Sequence, residues 1–245
     1  PPLLEANPEY VSTLAALPRV TRERLLYGNW LAREEGSGYF KRSWTPTIRM
    51  HDLLANDEVV RRVRAWDLAS TLPSEQNASP DYCAGVLIAK LKSGRYLIED
   101  LVHGRWRVGE LEQMLVEQAR KDFETYGSSC MNYLPIEPAS AGKIQKHHFS
   151  MVFAEARVPI KFYKVGTTKS KLDRFLPFAS VSENGLVVVK EDEWNETFFT
   201  ELELFTGSRS KIHDDIVDAT ADSFNLLATS KELPKLNASA LKMKY

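Results

Sequence analysis

Cysteine is scarce in this chain: Cys83 and Cys130 are the two it has. Neither stands in a CxxC pair, which excludes the spacing of a zinc ribbon or a redox dithiol. What remains is two small semi-buried thiols in a reducing compartment. Long apolar runs are missing, and nothing approaches the ~18 residues needed to span a bilayer. The segment Pro1 to Asn7 has no basic stretch followed by an apolar core, so it does not read as a signal peptide. No methionine opens the chain, so the reading is of a fragment with residues missing upstream. The phosphate-cradling spacing GxxxxGK[ST] occurs nowhere, and Gly142-Lys143 does not supply it. No ATP site is therefore expected through that motif. An excess of positive charge is missing as well, the formal net charge being -1. DNA-binding domains are often basic, so contact with DNA here requires charge segregated to one face.

What is present is a globular composition, 43% hydrophobic and 27% charged, enough for one sizeable core. Residues 8–34 carry two short helical stretches broken at Pro18, and 36–60 read as a lead-in. "VRAWDLAS" is a strand ending on an acid, followed by a polar loop at 71–81. "YCAGVLIAKL" and "YLIEDLVHGRW" are strands joined by the turn signal "KSG". Residues 108–126 form an amphipathic helix with Leu111, Leu115 and Phe123 on its apolar side. "MNYLPIE" is the next strand. A helix over 140–155, the strand "VPIKFYKV" and a helix over 168–179 follow. "FASVSENGLVVVK" reads as a hairpin on the Asn184-Gly185 turn. Helices over 191–205 and 211–229 close the pattern, and the Lys-rich tail 231–245 reads as frayed. Antiparallel strands first and βα crossovers later predict an α/β fold, a mixed sheet covered by helices.

Three groups of carboxylates stand out. Asp67 ends the first apolar strand beside Trp66, where it either points into a cleft above the sheet or caps a turn and pairs with Arg64. Glu137 ends another apolar strand before the small residues of "PASAGK", or is simply a loop acid at a βα junction. In "KIHDDIVDATADSFNLLA", Asp215 and Asp218 are three residues apart and share a helix edge, with Asp222 a turn further. Ile212, Ile216, Ala219, Leu226 and Leu227 form the apolar stripe beside them. Asp214 fits the alternative of an acid favoured by the helix N-terminus. Carboxylates held together repel and rise in pKa unless a cation compensates. Hard oxygen donors on separate elements suit Mg²⁺ or Mn²⁺. Two such ions can activate water and stabilise the leaving oxygen of a phosphodiester.

His213 is either a partner of Asp214 or Asp215 or a structural histidine, and His147 and His148 read as surface residues. Lys161, Lys164, Lys169, Lys171 and Arg174 cluster among small polar residues that suit a phosphate backbone, or form a solvated face. Lys143 is a further phosphate candidate. "RRVR" at 61–64 reads as structural.

Taken in order, "RAWDLAS", "DYCAGVLIA", "YLIEDLVHGRW", "IEPASAGK", "KVGTTKSKLDR" and "HDDIVDATADSF" resemble the large terminase subunit of tailed bacteriophages, over roughly residues 20–230. The resemblance implies its C-terminal nuclease domain, of the RNase H-like, RuvC-type superfamily. Expected from it is a mixed five-stranded sheet flanked by helices, with an added β-hairpin and a helical lead-in. It implies two-metal cleavage of concatemeric viral double-stranded DNA during genome packaging. Catalytic acids would be Asp67, Glu137 and Asp215. Metal ligands would be Asp67, Glu137, Asp215, Asp218 and Asp214, with Mg²⁺ or Mn²⁺. DNA would meet Lys143, Lys164, Lys169, Lys171 and Arg174. Also implied are the small terminase subunit and portal protein as partners, action in the host bacterial cytoplasm, and no membrane role. Residues 1–55 would lead out of an N-terminal ATPase domain, 56–230 would be the nuclease domain, and 231–245 the tail. A junction resolvase and a non-catalytic docking module of the packaging motor are the alternatives.

Overall fold

A computed structural model describes residues 38–69, 79–136, 139–164, 170–207 and 213–229, together with 14, 17, 21, 22, 25, 26, 72–74 and 77. The helical stretches expected at 8–34 and the tail 231–245 fall almost wholly outside these residues. So do Glu137 and Lys169.

The described strands are β1 (Thr47–Ile48), β2 (Val59–Asp67), β3 (Cys83–Leu91), β4 (Tyr96–Gly104), β5 (Cys130–Ile136), β6 (Lys161–Lys164) and β7 (Val187–Lys190). The helices are α1 (Met50–Leu54), α2 (Val108–Tyr126), α3 (Ala139–Glu155), α4 (Lys171–Glu183), α5 (Asn195–Leu204) and α6 (Asp215–Thr229). The strands form one mixed sheet in the order β1-β7-β4-β3-β2-β5-β6. β2, β3 and β4 pair antiparallel, while β5 runs parallel to β2 and β6 parallel to β5. These five are the strands expected from the sequence. β7 adds parallel to β4, and β1 parallel to β7, so the sheet has seven strands where five were expected.

Of the expected hairpin over 178–190, the second strand is present as β7, while the first strand and the turn are corrected. Phe175, Phe178, Ala179 and Ser182 are all buried, the i, i+3, i+4, i+7 spacing of a helix face, and α4 continues to Glu183. Gly185, at φ +70°, ends that helix. Its N–H donates to the Ser182 carbonyl (2.9 Å) and the Leu186 N–H to the Val181 carbonyl (3.0 Å). This left-handed glycine closure is a helix stop, and Asn184-Gly185 is not a hairpin turn. In α2, Leu111 and Leu115 are buried as expected, but Phe123 is 41% exposed. The buried residue of that turn is Asp122.

β2 explains the exchange, because successive side chains point to opposite faces. On one face Trp66 packs against Leu111, Leu115 and Ala119 of α2. Arg64, with no exposed surface, holds Asp122 (Nε–Oδ2 2.7 Å) and Asp100 (Nη2–Oδ2 2.7 Å). Arg62 pairs with Glu99 at 2.7 Å, so these two arginines of "RRVR" are structural. On the other face Val63 and Ala65 pack with Phe175, Phe178, Ile216, Val217 and Phe224 of α4 and α6. Cys83 and Cys130 are buried and unbridged. Among the described residues, no helix is long and apolar enough to cross a membrane.

Candidate metal centre at the carboxyl end of the sheet

Three neighbouring parallel strands stop at one edge: β2 at Asp67, β5 at Ile136 and β6 at Lys164. The carboxyl ends of strands in open α/β sheets border a crevice where ligands bind. Asp67 lies two residues beyond Ala65 and so faces the α6 side. It does not pair with Arg64, which points the other way into the α2 layer.

α6 is fixed over β2 by a side chain. The Ser223 hydroxyl accepts from the Ala65 N–H (2.8 Å) and donates to the Val86 carbonyl (2.7 Å), spanning the β2–β3 pair. At the start of this helix, Asp215, Asp218 and Asp222 recur at spacings of three and four residues, on one edge. Asp215 and Asp218 are buried. Burial, then the facing charges of Asp218 and Asp215, push the Asp67 carboxyl up to about 8, against the pull of Lys171. Burial raises Asp215 to about 6, opposed by the Tyr82 N–H that donates to its Oδ2 at 3.1 Å. Burial also raises Asp218, opposed by Arg174 and Lys171. Carboxylates crowded until their pKa values rise form an anionic hole that a cation relieves.

Each acid of α6 meets different partners. Both oxygens of Asp218 are taken, Oδ1 by Arg174 (2.5 Å) and Oδ2 by Lys171 (2.7 Å). Asp214 also meets Lys171, at 2.7 Å. Asp222 holds Arg174 at 2.7 Å and accepts from the Tyr163 hydroxyl at 2.9 Å, whose oxygen also lies 3.0 Å from the Trp66 carbonyl. Among the described residues, Asp215 meets no lysine or arginine. Its neighbours are the Tyr82 N–H and His213 Nδ1, 3.6 Å away. His213 Nδ1 also lies 3.8 Å from Asp81, and Nε2 lies 2.8 Å from the Ser79 hydroxyl. Asp81, His213 and Asp215 each offer a ligand atom within 4.8 Å of the others.

The structure thus gathers Asp67, Asp214, Asp215 and Asp218, with Asp222, at one end of the sheet. Of the basic residues read as phosphate contacts, Lys171 and Arg174 turn inward to these acids. Lys143 on α3 and Lys164 at the end of β6 are exposed. His147 is exposed on α3, and His148, also exposed, pairs with Glu112. Two further acids escaped the sequence reading. Asp81 had a signal: β2 and β3 are antiparallel, with Asp67 opposite Ala84, so residues just before β3 fall beside the end of β2. Glu201 had none. It is buried in α5 and accepts from the Ile216 N–H (2.5 Å) and the Val217 N–H (3.2 Å) at the start of α6. Burial pushes it up to about 8 against those donors.

Residues 64–227 match the family described as "Terminase RNaseH-like domain". Two solved structures are similar. The large terminase nuclease domain of Thermus phage P74-26 is 16% identical with a TM-score of 0.50, over 77% of this chain and 94% of that one. The large terminase nuclease of thermophilic phage G20c with bound magnesium is 15% identical with a TM-score of 0.52, over 78% and 98%. No curated protein matches the sequence.

Proposed function

Since the chain belongs to the terminase RNase H-like domain family, we propose that it is a divalent-metal-dependent endonuclease. Its substrate is concatemeric viral double-stranded DNA, cut during genome packaging. The observation that carries this reading is the crowding of Asp67 against Asp215 and Asp218. The donor set fits hard divalent cations: carboxylate oxygens from a strand end and a helix start, with raised pKa values. The similar G20c nuclease has bound magnesium. Asp67 and Asp215 are the ligands we assign first, since among the described residues no lysine or arginine forms an ion pair with either carboxylate. Glu137 completes the set on the sequence reading, because it directly follows β5, whose carboxyl end lies beside that of β2.

A pair of bound ions of the Mg²⁺ or Mn²⁺ type supplies activation of a water and stabilisation of the leaving oxygen. The chain's own residues orient and balance charge. Tyr163 and Arg174 keep Asp222 out of the ligand set, and Arg174 holds one oxygen of Asp218. Glu201 holds the first turn of α6 and with it the placement of Asp215. The exposed Lys143 and Lys164 are the proposed DNA contacts, together with Lys169. As part of the same proposal, the small terminase subunit and the portal protein are its partners and the host cytoplasm its place of action.

The test is cleavage of linear and supercoiled duplex in Mg²⁺ or Mn²⁺, with an EDTA control. Asp67→Ala is expected to abolish cutting with an unchanged circular dichroism spectrum. A variant that cuts at the wild-type rate overturns the assignment.

A further inference from the structure

Among the described residues, Arg174 and Lys171 both enter the acid cluster, and they are not equivalent. Arg174 is 11% exposed, bridges Asp218 and Asp222, and its carbonyl accepts from Asn225 Nδ2 at 2.9 Å. It is built into the α4–α6 contact. Lys171 is 48% exposed, is the first residue of α4, and touches the acids through its ammonium alone. An ammonium is a compact point charge on a flexible stem, whereas a guanidinium fork is fixed by several hydrogen bonds at once. Lys171 is therefore the cation that can leave.

Its position conflicts with a metal. A carboxylate oxygen donating to a divalent ion sits at 2.0–2.6 Å from it, depending on the ion. Asp218 Oδ2 and Asp214 Oδ1 each spend that direction on the Lys171 ammonium, at 2.7 Å. A second cation at the same oxygens would also be repelled by the first.

Resting on the metal-dependent reading above, we propose that Lys171 is a tethered counter-ion of the metal centre. Its ammonium holds Asp214 and Asp218 in the metal-free protein and must withdraw before these carboxylates join the ligand set. The apparent metal affinity is then the intrinsic one reduced by the fraction of molecules in which Lys171 has withdrawn. DNA arriving at the crevice offers the ammonium another anion, so substrate and metal load together.

The experiment is titration of Mn²⁺ alone into EDTA-stripped protein by calorimetry, for wild type, Lys171→Met, Lys171→Gln and Lys171→Arg. Met and Gln are expected to bind Mn²⁺ about tenfold tighter than wild type, while Arg, which keeps the charge, does not gain. Thermal melts identify a variant that fails to fold, and the Met and Gln variants stand in for each other. Equal or weaker binding in the neutral variants overturns the proposal. So does an equal gain in Lys171→Arg, which would mark a packing effect. Absence of Mn²⁺ binding in wild type and all variants sinks the metal-dependent reading and this proposal together. Binding by wild type with no gain on neutralisation sinks the proposal alone.

Discussion

The Ser223 hydroxyl accepts a hydrogen bond from the backbone N–H of Ala65 at 2.8 Å, across 158 residues of chain. The same hydroxyl donates to the Val86 carbonyl. One side chain thereby sets the height of α6 along β2, and so the level at which Asp215 and Asp218 meet Asp67.

Ser223→Ala leaves a buried N–H and a buried carbonyl without that bridge. The expected cost is about 1–3 kcal/mol of stability, read by urea unfolding. Metal-dependent cleavage should fall further than stability alone explains, because the acids lose register. A fully stable variant with wild-type cleavage removes the bridge from the account.

Proton linkage gives a signed test. Asp67 and Glu201 are raised to about 8 and Asp215 to about 6. In the unfolded chain these groups titrate near 4. The folded metal-free protein therefore holds protons that the unfolded chain has released. This stability is fully present below about pH 4 and is lost as pH rises towards about 8. In EDTA the Tm should be higher near pH 5 than near pH 8, and Asp67→Asn should flatten the slope. Mg²⁺ should restore Tm at the alkaline end with release of protons, visible as buffer-dependent binding heat. A Tm in EDTA that rises across this window contradicts the raised carboxyls.

Arg64 and Asp122 form a fully buried pair. Removing one partner strands a charge, so Arg64→Met should cost about 3–5 kcal/mol. The double variant Arg64→Met with Asp122→Leu should recover much of that loss in denaturant titrations. A single variant that unfolds at the wild-type denaturant midpoint would place the stability of this layer elsewhere.

The long elements were legible because their periods are unambiguous. The reading of 108–126 as a helix matches α2 residue for residue. The face of that helix was legible only in part. An acid normally belongs outside, and Asp122 is inside because Arg64 on β2 meets it. β1, two residues long, carries no periodicity to read. At 178–190 the strand Val187–Lys190 was legible, but 178–183 was misassigned because Asn-Gly serves both hairpin turns and helix stops, and the choice lay with the buried face of α4. The acids were legible as residue types at helical spacing. Their counter-ions were not, since Lys171 and Arg174 reach them from 43 to 48 residues away in sequence. The same cluster of basic residues was read as facing DNA, and sequence spacing cannot tell a cation turned outward from one turned inward.

Arg174 fastens two carboxylates of α6 at once, Asp218 and Asp222. These positions are therefore coupled through one side chain and do not change independently. A lineage that loses the guanidinium is left with two like charges one turn apart, Asp218 buried and Asp222 partly buried. It would survive by also neutralising position 222, so positions 174 and 222 should drift as a pair, one charge exchanged for the loss of the other, while the carboxylate at 67 stays.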